Sequence, residues 1–172
     1  IGWQVMLDGQ EITQFTYFQQ CGGMDLDLAP AEITYGLERI VAFLQNVESV
    51  YDIEWAPGFK YADVRLADEQ QFSVYNFEMA DVSALWQEFD LHEREAHRLL
   101  NLFHESKRKQ RFPVLPAYDH VLKCSNVFNL LDARGAISVT ERVAVIARVR
   151  KLAVGVAQAW AEQQNCAAEA AA

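Results

Sequence analysis

The sequence predicts an α+β fold, strand-rich at the front and helical at the back. Two alternating segments, Trp3 to Leu7 and Glu11 to Gln19, flank Asp8-Gly9, a dipeptide that supplies the positive φ angles of a tight hairpin turn. From about Asp81 onward, three stretches repeat apolar residues at helical spacing. Charge changes sign at nearly the same place. Residues 1–93 carry 3 basic and 17 acidic side chains, a balance of −14, whereas residues 94–172 carry 12 and 7, a balance of +5. These observations predict a sheet-bearing region over residues 1–80, a helical bundle over 81–165 and a disordered alanine-rich tail over 166–172.

Within the second strand, Gln14 and Thr16 share one face, which Gln20 just beyond it would extend, and Phe15 and Tyr17 point to the other. A third short strand carries Glu32 and Thr34 on one face and ends at Gly36. There a helix opens, with Leu37, Ile40, Val41 and Leu44 at i, i+3, i+4 and i+7. Residues 56–68, bearing Gly, Pro and Asp, read as a connection.

Asp81 is placed to cap a helix from Val82 towards His104, buried through Leu85, Phe89, Ala96, Leu99, Leu100 and Phe103. Pro116 suits the first turn of a second helix reaching about Leu130. Ser138-Val139-Thr140-Glu141 is a capping box, and the helix it opens runs to about Trp160. The Asn76–Asp81 segment is expected to fix the sheet-to-bundle junction through side-chain to backbone hydrogen bonds.

At 172 residues and 51% hydrophobic, the chain suffices for a real core. No run of about 18 apolar residues marks a membrane span. Cys21, Cys124 and Cys166 are widely spaced, which suits free thiols in a reducing cytoplasm. His92, His97 and His104 lie five and seven residues apart, not at zinc-helix spacing, so no metal site is expected. No P-loop, dinucleotide fingerprint or Ser/His/Asp pattern stands out.

The segment with chemical promise is Glu32-Ile33-Thr34-Tyr35-Gly36-Leu37-Glu38-Arg39-Ile40. Arg39 lies in the first helical turn, where the free N–H groups favour anions, and could join them in binding a phosphate. The local alternative is an ion pair with Glu38 or a sheet residue. A floor of Gln14, Thr16, Glu32 and Thr34 suits a small zwitterion, the carboxylate taking an ammonium group and the amides and hydroxyls the rest. The alternative there is a half-solvated sheet with a polar outer face.

The strings GWQVMLDGQEITQFTYFQQCGG, EITYGLERI, SVYNFEMADV and VLPAYDHVLKCSNVFNLLDARGAISVTER resemble the α subunit of the bacterial two-subunit, class II glycyl-tRNA synthetase. The resemblance runs from residue 1 to about Trp160. It implies that residues 1–80 are part of the class II antiparallel sheet and that EITYGLER is its motif 3. Arg39 is then the catalytic arginine on the ATP phosphates, with Gly36 and Glu38 beside it, and Glu32, Thr34, Gln14 and Thr16 become the candidates for binding glycine. ATP and Mg²⁺ are the implied cofactors. The implied partners are a large β subunit, in an α₂β₂ heterotetramer, and tRNA(Gly), in the cytoplasm, with no DNA and no membrane. Arg142, Arg148, Arg150 and Lys151 are implied as an RNA or subunit contact; the alternative is a charged outer face balanced by Glu141 and Asp132.

Gln4 stands where an acid is expected, and Ala31 where glycine is expected before Glu32. The chain opens inside a strand without Met, so it is expected to be a C-terminal portion lacking motifs 1 and 2 and inactive alone. Two rival functions stay open: a non-catalytic module docking a large β subunit, and a class II relative making an adenylate without transfer to tRNA. The run Lys107-Arg108-Lys109-Gln110-Arg111 lies in a loop that can meet RNA phosphates or be simply solvated.

Overall fold

The computed structural model describes residues 2–171. Helices account for 65% of it and strands for 17%, an α+β architecture of small antiparallel sheets and five α-helices. Two compact units divide the chain: one formed by the segments up to Cys21 and Asp25–Val74, the other by Gly22–Met24 and Tyr75 onward.

In the first unit, β1 (Gly2–Leu7) and β2 (Gln10–Tyr17) form the expected hairpin. Asp8 and Gly9 both take positive φ, 48° and 82°, as a type I′ turn requires. The short strands β3 (Gln20–Cys21) and β4 (Met24–Asp25) form a second hairpin, whose Gly22–Met24 segment is counted with the second unit. β5 (Ala31–Tyr35) then pairs antiparallel with β2 and completes the sheet order β1-β2-β5.

Helix α1 (Leu37–Gln45) follows. Its Asn46 C-cap adopts the left-handed conformation, and the Asn46 and Val47 amides close the last turn on Phe43 and Ala42. The expected connection at 56–68 is instead structured. A β6 (Glu54–Ala56)–β7 (Phe59–Lys60) hairpin leads into α2 (Tyr61–Val74). α2 escapes a periodicity reading because it buries no residue, so its sequence carries no apolar stripe.

The second unit begins with a π-helical turn, Tyr75–Met79, and three long helices: α3 (Val82–Glu105), α4 (Val114–Ala133) and α5 (Val139–Ala171). Asp81 caps α3, its carboxylate accepting the Ala84 amide at 2.7 Å. All six residues expected to bury α3 are buried. α4 starts two residues before Pro116, because Val114 is drawn into the core while Pro116, lacking an N–H, still sits within the first turn. The capping box forms in full: Ser138 Oγ accepts the Glu141 amide at 3.2 Å, and Glu141 Oε2 accepts the Ser138 amide at 2.9 Å. α5 then outruns the Trp160 end expected for it and continues through residues 166–171, expected as a disordered tail; alanine is the strongest helix former and nothing there breaks the helix. Residue 172 lies outside the described residues.

Phe89, Phe103, Cys124, Val127, Leu131 and Leu152 form the fully buried centre of this bundle. The junction segment is held from elsewhere than expected. Arg134 at the end of α4 donates to the Phe77 carbonyl at 2.6 Å and the Ala80 carbonyl at 3.0 Å. These bonds suit a π-helical turn, whose carbonyls are left short of intrahelical partners.

Candidate functional site

The register of the sheet gathers the candidate glycine-binding residues. Gln14 lies opposite Thr34, and Thr16 lies opposite Glu32. On the other side of β2, Gln4 lies opposite Gln14. Directly opposed residues in an antiparallel pair share a face and stand about 5 Å apart. Gln4, Gln14, Thr34, Thr16 and Glu32 therefore make one polar surface. Thr34 Oγ1 donates to Glu32 Oε1 at 3.0 Å, which orients the carboxylate and leaves it further acceptor capacity.

The opposite face is aromatic. Trp3, Phe15 and Tyr17 stack on one another at 4.9–6.1 Å between ring centroids. Trp3, Val5, Tyr17, Ile33 and Tyr35 are all exposed on this face.

Gly36 joins β5 to α1. Its amide donates to the Ile12 carbonyl at 2.8 Å, and its carbonyl accepts the Ile40 amide at 3.0 Å. A Cβ here would lie 3.2 Å from Arg39 Cδ and 3.4 Å from the Ile12 oxygen. Glycine thus lets the Arg39 side chain fold back over the strand-to-helix turn. Arg39 Nη1 donates to the Glu11 carbonyl at 2.7 Å, with the Glu11 carboxylate at 3.9 Å, and the side chain stays about half exposed. This is the local alternative, a contact with a sheet residue. No other hydrogen bond from the guanidinium is made to the described residues. By strand alternation Ile12 belongs to the face of Gln14 and Thr16, and it lines a shared concavity with Ala42 of α1. α1 therefore stands beside the Ile12 end of the polar face.

Glu38 turns away from Arg39, as neighbouring helical residues must. It accepts a hydrogen bond from Tyr61 Oη at 3.1 Å. That bond pushes the Tyr61 phenol above its ordinary pKa. Glu38 and Tyr61 line a cavity of about 340 Å³ with Leu37, Val41, Ile53 and Trp55. Glu11 and Tyr61 were not legible as site residues. Each lies more than twenty residues from its partner, and only the fold brings them together.

The glycyl-tRNA synthetase alpha subunit family matches residues 1–165. The chain belongs to that family. The match reaches beyond the Trp160 limit of the quoted strings and contains every candidate site residue. Membership in the glycyl-tRNA synthetase α family implies a ligase of aminoacyl-tRNA synthesis.

In the bundle, the four cations expected as an RNA or subunit contact separate into two kinds. Arg142 pairs with Asp132 at 3.2 Å. Arg148 donates to Glu93 through Nε at 2.8 Å and to Asp90 through Nη2 at 3.1 Å, and lies 4.7 Å over the Phe89 ring. Arg150 and Lys151 are exposed and form no ion pair with the described residues. Of the histidines, His92 meets one from another helix: its Nδ1 lies 2.9 Å from Nδ1 of His120 on α4. No group of three metal-ligating side chains gathers among the described residues. None of the described helices is long and apolar enough to cross a membrane.

Proposed function

We propose that this chain carries the motif 3 side of an active site that activates glycine with ATP and passes the glycyl group to tRNA(Gly). The observation that supports it most is the strand register, which sets Gln14, Thr34, Thr16 and Glu32 on one face at the foot of α1. Glu32 takes the glycine ammonium by a charge-assisted hydrogen bond, held in place by Thr34. Gln14 and Thr16 complete the polar floor, and a close-fitting site excludes larger amino acids by leaving no room for a β-carbon.

Arg39 supplies positive charge to the ATP phosphates as charge develops on the leaving group, a role needing no proton transfer. Its contacts with Glu11, a carbonyl at 2.7 Å and a carboxylate at 3.9 Å, are exposed, and a loose exposed ion pair of this kind gives way to phosphate oxygens at little cost. Gly36 permits the close approach, and Glu38, tied to Tyr61, fixes the first turn of α1 beside the nucleotide. Mg²⁺ suits a site with no carboxylate cage of its own, since it keeps phosphate oxygens and water as ligands. A large β subunit and tRNA(Gly) are the proposed partners, in an α₂β₂ assembly in the cytoplasm, with Arg150 and Lys151 the α5 cations open to either.

A second reading, a module that docks a large subunit without catalysis, is favoured by the exposed aromatic face of the sheet. Glycine-dependent ATP–pyrophosphate exchange separates the two. In the α subunit assembled with its β-type partner, exchange is expected with glycine and not alanine. Arg39→Ala is expected to lower it about a hundredfold or more. Absence of exchange in folded wild-type protein leaves the docking module as the better account.

A further inference from the structure

The loop between α3 and α4 presents Lys107, Arg108 and Arg111 on an ordered backbone. A 3₁₀ turn, Lys109–Arg111, shapes it, and the Arg108 amide is held by Ser106 Oγ at 3.1 Å. From α5, the Gln163 side-chain amide donates to the Lys109 and Phe112 carbonyls, both at 2.8 Å. Lys109 itself is consumed: Nζ pairs with Glu162 at 2.5 Å and lies 5.2 Å over the Phe103 ring. Phe112 packs edge-on against Phe103, centroids 5.5 Å apart. One cation of the run is an anchor, therefore, and three are left facing solvent. Lys107, Arg108 and Arg111 are exposed and form no ion pair with the described residues.

This arrangement differs from an ordinary solvated basic run, whose backbone must be ordered at binding. It also differs from most cations on the bundle's helices, Arg150 and Lys151 of α5 being likewise free of ion pairs with the described residues. Arg98, Lys123, Arg142 and Arg148 are each paired with a carboxylate of their own unit. In a chain of net charge −9, free positive charge collected on one fixed loop calls for a polyanion. Residues 106–111 (Ser, Lys, Arg, Lys, Gln, Arg) offer no apolar anchor of the kind a protein interface centres on. They do offer the donors that contact phosphate and sugar oxygens. Lys151, also free, lies eleven residues before Glu162, hence about three turns and roughly 16 Å along the same side of α5.

We propose that Lys107, Arg108 and Arg111 form an RNA phosphate-backbone contact. Under the proposed function, on which this identity rests, the RNA is the tRNA substrate.

The test replaces the three cations by glutamine, Lys107→Gln/Arg108→Gln/Arg111→Gln, in the α subunit assembled with its β-type partner. Lys109, Glu162 and Gln163 are left in place to keep the loop folded. tRNA(Gly) binding is measured across salt concentration, beside glycine-dependent ATP–pyrophosphate exchange, which needs no RNA. The triple variant is expected to bind tRNA about tenfold more weakly, and the slope of log affinity against log salt to shrink by about 2 to 3. Exchange is expected to stay at the wild-type rate. Each single variant is expected to remove about one unit of slope or less, which keeps the test readable should the triple variant fold poorly. An unchanged slope overturns the proposal. So does an unchanged slope accompanied by weaker association with the β-type subunit, which assigns the loop to a protein interface. Absence of exchange in the wild type bears on the proposed function instead, because the binding slope is read without it.

Discussion

Arg148 and Arg150 are two residues apart and look alike in the sequence, yet their surroundings give them opposite roles. Arg148 meets acids 55 and 58 residues earlier, a pairing that no local spacing announces. Glu93, its partner, keeps only 16% of its side chain exposed. Arg148→Ala is expected to destabilise the bundle by about 1–3 kcal/mol, since it leaves that carboxylate without its donor. Arg150→Gln is expected to stay within about 0.5 kcal/mol in the same urea titration. The Arg148 hydrogen bond also holds the Glu93 carboxyl below the ordinary value of 4.5. Because the folded value is the lower one, this stabilisation is fully present above 4.5 and is lost as pH falls through the depressed folded value. The acid-side loss of stability should therefore be shallower in Arg148→Met than in wild type. The cysteines divide on similar grounds. The sequence supports free thiols but not which of them react. Burial pushes the Cys124 thiol up to about 11, whereas Cys21 is exposed. In native protein a thiol reagent is expected to label Cys21 quickly and Cys124 only on unfolding.

Elements were legible wherever their signal was local. The Asp8-Gly9 turn, the Asp81 cap and the Ser138–Glu141 box each rest on two to four neighbouring residues, and each forms as read. Ser138→Ala is expected to cost about 1 kcal/mol and to fray the start of α5, seen as faster amide exchange over its first turn. The alternation of Gln14, Thr16, Glu32 and Thr34 was also legible, but not their register. Pairing Gln14 with Thr34, rather than with a neighbour, is a property of the folded sheet. α2 was missed for want of a buried face. The β3–β4 hairpin, whose turn is Gly22-Gly23, carries information of another kind. Gly22 takes φ +58°, and a Cβ there would come 2.2 Å from Ala157 Cβ on α5. Gly22→Ala is strained in backbone and in space at once. It is expected to lower stability by more than about 1 kcal/mol, whereas Gly9→Ala, with open space around it, carries only the positive-φ penalty. Thermal melts of the two variants distinguish close approach from backbone conformation alone.

At the scale of the whole molecule, the charge division near residue 93 and the contact division after Val74 mark different boundaries with a common cause. The first unit buries few apolar residues and the second is built around a core. Only Ala42 and Ile53 are buried hydrophobic residues among the described residues of the first unit, whereas the bundle packs eighteen into one cluster. The fold class was legible because helical stripes and strand alternation are written locally. The candidate site is readable from the sequence only as a set of residues on one face, because its geometry depends on register and on partners such as Glu11 and Tyr61. The same asymmetry governs stability. Apolar burial is the main favourable term in folding, so the bundle holds most of the stabilisation and the sheet unit little of its own. Native-state hydrogen exchange on this chain is therefore expected to show two levels of protection. Amides of α3, α4 and α5 around Phe89, Leu131 and Leu152 should exchange at the global unfolding limit. Amides of β1, β2 and β5 should exchange orders of magnitude faster, and should slow when the aromatic face of Trp3, Tyr17 and Ile33 is covered by a partner. Equal protection in both units would mean that the sheet is stabilised by more than the burial seen here, and would shift the weight from the core to the hydrogen-bonded ladder.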